Sequence, residues 1–177
     1  MLLGQPKNGG ASHVDIACTP ELVTAAKYVC GLPICVSSIK PNDFVVAIAA
    51  GADMIEIGNF DSFYSQGLQF IAEDVLSMTK ETRNLPPHTP LSVTIPHALP
   101  LDEQIIIAKN LETIGVDIIQ TEGKFSANVA SMGVQELIEI AAPTIAAAFA
   151  ISRLVKIPVM CASGLTEVTV PLALAAG

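Results

Sequence analysis

The sequence has few basic residues and little charge of either sign. Lys and Arg together number 9 among 177 residues, against 17 Asp and Glu, which gives a net charge of -8 and a pI near 4.7. Without a basic cluster, the chain is not expected to bind nucleic acid through phosphate contacts. Charged residues make up only 15% and hydrophobic residues 51%. This composition argues against disorder and is typical of a parallel sheet buried under helices.

Signals for a cysteine metal site, for secretion and for membrane insertion are also missing. No pair has CxxC spacing, so we expect reduced, mostly buried thiols at the four cysteines: Cys18, Cys30, Cys35 and Cys161. The first residues lack the apolar core of a signal peptide. The most apolar window, residues 137–155, contains Glu139, Pro143 and Arg153 and is a poor membrane span. We therefore expect a soluble protein without a membrane partner.

A short sequence motif recurs along the chain. In it, a glycine and usually a small residue precede a strand. The copies begin at Gly10, Gly51 and Gly115, and residues 175–177 resemble the start of a fourth copy. Each copy holds a polar residue at the matching place in its strand: Asp15, Glu56 and Gln120. A repeated strand–helix unit that stops before a strand suggests part of a larger closed architecture.

Strands and helices alternate over a single domain, residues 1–177. Short runs rich in Val and Ile predict strands at 13–17, 33–38, 54–58, 91–96, 117–122 and 158–162. The segments between them predict helices at 20–30, 41–50, 71–84, 101–114, 134–155 and 166–176. Pro143 is predicted to kink the fifth helix or split it near residue 142.

Two architectures fit strict strand–helix alternation, a (β/α)8 barrel and an open doubly wound sheet. No Gly-rich dinucleotide motif or phosphate loop follows any predicted strand, which weighs against the open sheet. The acids Asp15 and Glu56 would be costly to bury between helix layers, whereas the mouth of a barrel can hold them. The sequence therefore predicts an incomplete TIM-type barrel of six units, with one strand missing at each end. Its exposed sheet edges predict association with further copies of the chain.

Candidate site residues follow the predicted strands, where parallel folds place their ligand sites. His97 could act as a general acid or base, or be an exposed loop histidine. Asp15, Glu56 and Glu122 could form an acid cluster that binds a hard cation or transfers protons. Alternatively, they are structural interior groups satisfied by hydrogen bonds to Ser92, Thr94 and Gln120. Two residues of the long loop after the third strand could orient a ligand or cap the loop: Asn59 and Asp61.

The segment 161–166 is a candidate anion site or a plain tight turn. Ser163, Gly164 and Thr166 would present backbone N–H groups to a phosphate at the start of a helix. Flavin mononucleotide is a variant of this hypothesis, but no particular cofactor is predicted. No lysine lies inside a predicted strand, which argues against a Schiff-base aldolase.

Several sequence segments resemble those of the family named for the twenty-third hypothetical chloroplast reading frame, which is found in cyanobacteria, algal plastids and plants. They include 14–23, 51–64, 91–97, 117–123 and 157–165, and the resemblance covers essentially the whole chain. It implies an aldolase-type TIM barrel in a plastid or a cyanobacterial cytoplasm. It implies no substrate, so the reaction is unknown at this point.

Three functional hypotheses remain open from the sequence. The first is an enzyme that acts on a small phosphorylated or anionic metabolite by acid–base chemistry. The second is a regulatory or binding barrel without catalysis. The third is a fragment without activity of its own.

Overall fold

The computed structural model describes residues 9–64, 66–85, 88–124 and 133–177. Six strands lie in these ranges, each within one residue of its predicted bounds: β1 (Val14–Ala17), β2 (Ile34–Ser38), β3 (Met54–Ile57), β4 (Leu91–Ile95), β5 (Ile118–Glu122) and β6 (Val159–Ala162). Their apolar, Val- and Ile-rich composition suits strands that are buried under helices.

The six strands form one sheet in sequential order, and every neighbouring pair is parallel. A doubly wound sheet would instead reverse its strand order at a switch point. The sheet is curved, because Asp15 on β1 and Ser163 after β6 line the same cavity although their strands are at opposite edges. The predicted incomplete barrel is therefore confirmed as a half-barrel of six parallel strands.

Helices connect the strands: α1 (Pro20–Cys30), α2 (Pro41–Ala49), α3 (Asp61–Tyr64), α4 (Ala72–Asn84), α5 (Leu101–Ile114), α6 (Val134–Ile151) and α7 (Val170–Ala176). Proline begins α1 and α2, where a missing N–H costs nothing. Gly115 ends α5 in a left-handed conformation, φ 95°, that a side chain would disfavour. The short helix α3 was not predicted.

Pro143 does not split its helix, because α6 runs unbroken from Val134 to Ile151. The split near residue 142 is therefore wrong, whereas the alternative, a kink at Pro143, stays a prediction. Proline removes one backbone donor from the helix, which leaves a carbonyl of the preceding turn available. By the i→i−4 rule that carbonyl belongs to Glu139. The next carbonyl, that of Ile140, accepts a hydrogen bond from the Lys124 N–H at 2.9 Å, which ties α6 to the segment after β5.

Side chains on the two faces of the sheet differ in character. The outward face packs against the helices and is apolar, with Ile55, Ile57 and Val93 at most 1% exposed. Full burial of such a side chain stabilises the fold by roughly 1.5–3 kcal/mol. The alternate residues Glu56, Ser92 and Thr94 face the concave side. The core thus lies outside the sheet, and the polar groups gather inside it.

One helix in the described part of the chain, α6, is long and apolar enough to cross a membrane by length and composition alone. A core helix of a soluble protein passes the same test. In the structure, Ile140, Ala141 and Ala147 of α6 are buried. Thr144 of α6 is joined to Thr121 of β5 by a 2.7 Å hydrogen bond.

Candidate functional site

A cavity of about 280 Å³ opens on the concave face at the carboxyl ends of the strands. We call it the first cavity. Its lining is polar and comes from strands across the whole sheet: Asp15, Ile16, Ala17, Ser37, Glu56, Asn59, Thr94, Gln120, Glu122 and Ser163. Three of the candidate residues, Asp15, Glu56 and Glu122, therefore meet in one place. None of the described lining residues is Lys or Arg, so the cavity is acidic.

Glu56 is held by side chains of two other strands. Its Oε1 accepts hydrogen bonds from Thr94 Oγ1 at 3.0 Å and Gln120 Nε2 at 2.8 Å, and the residue is only 5% exposed. Gly58 makes this arrangement possible, because a Cβ at that position would overlap the Glu56 carboxylate and the Thr94 hydroxyl. The glycine after β3 therefore leaves room for the acid.

Burial raises the pKa of Glu56 to about 7, and the neighbouring charges of Asp15 and Glu122 add to the effect. The hydrogen bonds from Thr94 and Gln120 oppose this increase without cancelling it. Desolvation also raises the pKa of Asp15, although this residue lies on the open side of the cavity. Ser37 limits the increase, since its hydroxyl contacts both carboxylate oxygens of Asp15 at 2.7 Å. Glu56 can thus hold or release a proton near neutral pH.

Glu122 has a different environment from Glu56. Its Oε2 lies 2.7 Å from the Tyr64 hydroxyl, 3.0 Å from the His97 N–H and 2.8 Å from His97 Nδ1. The Glu122 side chain is 2% exposed and the His97 side chain 20%. His97 does not line the first cavity among the described residues, so Glu122 lies between the cavity and the histidine.

A second cavity, also about 280 Å³, adjoins the first and shares Ser37 and Asn59 with it. Its other lining residues come from the ends of β1 and β2 and the segment after β3: Cys18, Ser38, Ile39, Lys40, Asp43, Gly58 and Phe63. Lys40 is the one Lys or Arg among the described residues lining either cavity. The two cavities together form a groove with an acidic part and a part lined by one charged residue of each sign, Lys40 and Asp43.

The loop residues proposed as ligand contacts are placed differently from one another. Asn59 lines both cavities in a left-handed conformation, φ 63°, and its carbonyl accepts a 2.8 Å hydrogen bond from the Ser62 hydroxyl. Ser163 lines the first cavity. The side chain of Asp61 is outside the described part of the structure, as are residues 125–132 of the long loop after β5.

The predicted anion site differs in detail from the observed turn. The last helix begins at Val170 instead of residue 166, and the Thr166 N–H donates to Thr169 Oγ1 at 2.9 Å. Gly164 has φ +68°, and a Cβ there would come within 3.0 Å of the Ile140 and Lys124 carbonyls. Close backbone packing therefore accounts for the glycine, and the Thr166 N–H is already bonded. Anion binding by Ser163, Gly164 and Thr166 stays a prediction.

Sequence reasoning missed two residues of the site, Tyr64 and Ser37. Tyr64 lies on α3, a helix of one turn that carries no periodic pattern. Ser37 is at an interior position of β2, opposite Glu56 in the strand register. The alternation rule that identified Ser92 and Thr94 would also have placed Ser37 on the concave face.

One group of side chains has the spacing of metal ligands. One donor atom each from Asp15, Cys35 and Glu56 lies within 4.8 Å of the others. Burial and the neighbouring carboxylates raise the pKa of the Cys35 thiol. Because a thiolate is the form that binds metals, a cation would have to displace this proton. The geometry alone assigns no metal.

Residues 4–177 match the family described as "Protein of unknown function (DUF561)". The chain belongs to this family. Relatives in it include proteins described as "Uncharacterized protein ycf23". The relative from Cyanophora paradoxa is 53% identical over 92% of this chain and 67% of its own length. The relative from Porphyra purpurea is 36% identical over 92% of this chain and 61% of its own length. The chain thus spans about two thirds of these relatives, and the family resemblance is confirmed.

Solved structures similar to this member of the family are aldolase-type barrels. Deoxyribose phosphate aldolase from Aeropyrum pernix has a TM-score of 0.70 at 15% identity, covering 99% of this chain and 74% of the aldolase. A truncated 3-deoxy-D-arabino-heptulosonate 7-phosphate synthase from Thermotoga maritima has a TM-score of 0.62 at 15% identity, covering 97% and 63%. At these identities the likeness shows the fold alone.

Proposed function

We propose that this chain carries the site of an enzyme that transfers protons to and from a small phosphorylated metabolite. The observation that carries the proposal is the pair of buried carboxylates, Glu56 and Glu122, which line one cavity at the carboxyl rim of the half-barrel. When two carboxyl groups lie in environments that move their pKa values apart, one can act as the acid and the other as the base.

Glu56 is the proton donor and acceptor in this proposal. A pKa near neutrality gives a group both protonation states at working pH, which is the condition for efficient general acid–base catalysis. Glu122 accepts hydrogen bonds from Tyr64 and His97, so it serves as the ionised partner. Asp15, at the open side, would hydrogen-bond a hydroxyl of the metabolite.

The acidic first cavity suits the hydroxyl- or carbonyl-bearing end of the metabolite, because three carboxylates would repel a phosphate there. The phosphate would lie toward the second cavity, where Lys40 supplies a positive charge and Asp43 is the one carboxylate among the described lining residues. The names of two structural neighbours, deoxyribose phosphate aldolase and a 7-phosphate synthase, support a phosphorylated ligand.

Proton transfer can be tested without knowing the complete reaction. The chain is incubated in D2O with a panel of sugar phosphates, and NMR follows deuterium entering carbon positions next to the carbonyl. We expect exchange with at least one compound, and Glu56→Gln should slow it on the order of 100-fold or more. Glu81→Gln, an exposed glutamate on α4, is the matched control and should leave the rate unchanged.

Two outcomes would contradict the proposal. The first is a panel without exchange by the chain or by a full-length relative, which would favour a non-catalytic binding barrel. The second is exchange that Glu56→Gln leaves unchanged. The longer relatives matter in this test because the chain spans only about two thirds of their length.

The setting of the protein is part of the same proposal. Relatives from Cyanophora paradoxa and Porphyra purpurea support a plastid location, with the cyanobacterial cytoplasm as the counterpart. Association of several copies is also proposed. It is supported by the exposed apolar side chains on α6 and α7. The structural neighbour from Aeropyrum pernix is described as tetrameric.

A further inference from the structure

Three segments that are far apart in sequence meet at one oxygen atom. Tyr64 comes from α3, His97 follows β4, and Glu122 ends β5. The tyrosine hydroxyl, the His97 N–H and His97 Nδ1 all lie within 3.0 Å of Glu122 Oε2. The Tyr64 and His97 rings also meet edge to face, with centroids 5.3 Å apart and planes at 78°.

The geometry indicates which atom carries each proton. The tyrosine hydroxyl and the backbone N–H are donors to Oε2, so this oxygen is already an acceptor twice. An ionised carboxylate oxygen can also accept from an imidazole N–H. We therefore place the histidine proton on Nδ1. In this tautomer Nε2 is the ring nitrogen without a proton.

The two oxygens of Glu122 then have separate roles. Oε2 accepts hydrogen bonds from Tyr64 and His97. Glu122 also lines the first cavity. None of the described side-chain hydrogen bonds involves Oε1. Contacts that fix one oxygen set the direction in which the other faces a ligand, as outer partners do for catalytic and metal-binding carboxylates.

We propose that Tyr64 is a positioning residue of the site, which fixes Glu122 toward the cavity and the His97 ring in its Nδ1–H form. The inference rests on the proposed function for its catalytic consequence, but its structural part can be measured without a metabolite. Tyr64 acts through Glu122 and does not line either cavity among the described residues.

The chain offers a clean comparison for testing Tyr64. It has two tyrosines and three histidines. Tyr28 on α1 is 92% exposed, so Tyr28→Phe removes a hydroxyl without touching the site. Nitrogen NMR of 15N-histidine-labelled protein reports the tautomer of each ring, and His97→Gln assigns the His97 signals. Tyr64→Phe keeps the aromatic ring, and circular dichroism checks that it is folded.

We expect His97 to be mainly the Nδ1–H tautomer in the unmodified chain and in Tyr28→Phe. In Tyr64→Phe the Glu122 carboxylate loses the contact that fixes its direction and can turn away from Nδ1. The populations should then move toward Nε2–H, the form that a free imidazole prefers. Deuterium exchange should fall on the order of 10- to 100-fold in rate at saturation, with the half-saturating concentration changed less than about 2-fold.

Failure of this inference is distinguishable from failure of the proposed function. An Nε2–H form of His97 in the unmodified chain, or an unchanged tautomer and exchange rate in Tyr64→Phe, overturns the positioning role even if exchange occurs. A panel without any exchange overturns the proposed function. In that case the tautomer measurement alone decides whether Tyr64 positions Glu122 and His97.

Discussion

At the scale of single residues, the site depends on a few acids whose surroundings differ. Glu56 is surrounded by neutral donors and other carboxylates, and burial raises its pKa to about 7. Glu122 has a tyrosine, a backbone N–H and a histidine around one oxygen. The same residue type thus has a different role on β3 and on β5, because each strand brings different neighbours to it.

The raised pKa of Glu56 predicts a pH-dependent stability. The folded state keeps this proton up to about pH 7, whereas the unfolded chain releases it near 4.5, the ordinary pKa of a glutamate. Unfolding therefore releases a proton between these pH values, and the free energy of unfolding falls as pH rises through this window, by about 3 kcal/mol. Asp15 contributes a smaller decrease of the same sign, because its pKa is also raised.

Glu56→Gln should remove most of this decrease, since glutamine does not titrate. Urea unfolding at pH 5, 6, 7 and 8 measures the slope, with Glu81→Gln as the exposed control. The variant should gain stability relative to the unmodified chain as pH rises. A chain whose stability is constant from pH 5 to 8 would contradict the environment assigned to Glu56.

Gly58 predicts a second effect at a single residue. A methyl group there would overlap the Glu56 carboxylate and the Thr94 hydroxyl, so Gly58→Ala must displace one of them. We expect a loss of about 1–3 kcal/mol of stability and a change in the Glu56 titration. Gly133→Ala is the matched control, because its added methyl would lie 3.7 Å from the nearest atom. An unchanged Glu56 titration in Gly58→Ala would contradict the packing.

At the scale of elements, the alternation of strands and helices was predictable because each signal is local. Val and Ile runs define the strands, and Pro20, Pro41 and Gly115 define helix ends. The polar interior followed from the period of two, which placed Glu56 and Thr94 on one face. The same period also placed Gln120 among the groups that could hydrogen-bond an interior acid, and the structure shows this contact with Glu56. Local signals do not show how far a side chain reaches, so which acid Gln120 contacts across β4 could not be predicted.

Tertiary contacts explain the elements that were predicted wrongly or missed. Pro143 disfavours a helix locally, but buried residues on α6 such as Ala141, Thr144 and Ala147 pack it against the sheet. The short helix α3 is held by Phe60 and Phe63, whose rings contact Phe70 at 4.5 and 5.8 Å between centroids. Neither effect is visible in a window of neighbouring residues.

Pro143→Ala tests how α6 tolerates its proline. Alanine restores a backbone donor and raises helix propensity, so we expect a gain of about 1–2 kcal/mol after allowing for the more flexible unfolded chain. Thermal unfolding measures the change. A destabilised variant would contradict this expectation and would show that the proline contributes to the packing of α6.

At the scale of the whole molecule, the described sheet has two edges, β1 and β6, and an apolar outer surface. A groove of about 590 Å³ runs along α6 and α7, beside exposed Phe149 and Leu172. Such surfaces are typical of interaction sites.

The family relationship and the fold follow from the entire chain, whereas the proposed reaction depends on one cavity.

The apolar surface predicts that the chain associates with itself in solution. Light scattering behind a sizing column should show a mass that rises with concentration. Leu172→Glu, which places a charge in the groove, should reduce this association, whereas Tyr28→Glu on α1 should leave it unchanged. A monomer at every concentration, for both the unmodified chain and the variants, would contradict the proposed association.

The central claim is that Glu56 exchanges its proton near neutral pH inside the first cavity. Carbon NMR of 13C-glutamate-labelled protein follows each side-chain carboxyl group through a pH titration, and Glu56→Gln assigns the signal. Our account predicts a midpoint near pH 7 for Glu56. A midpoint between pH 4 and 5, as for an ordinary exposed glutamate, would contradict it.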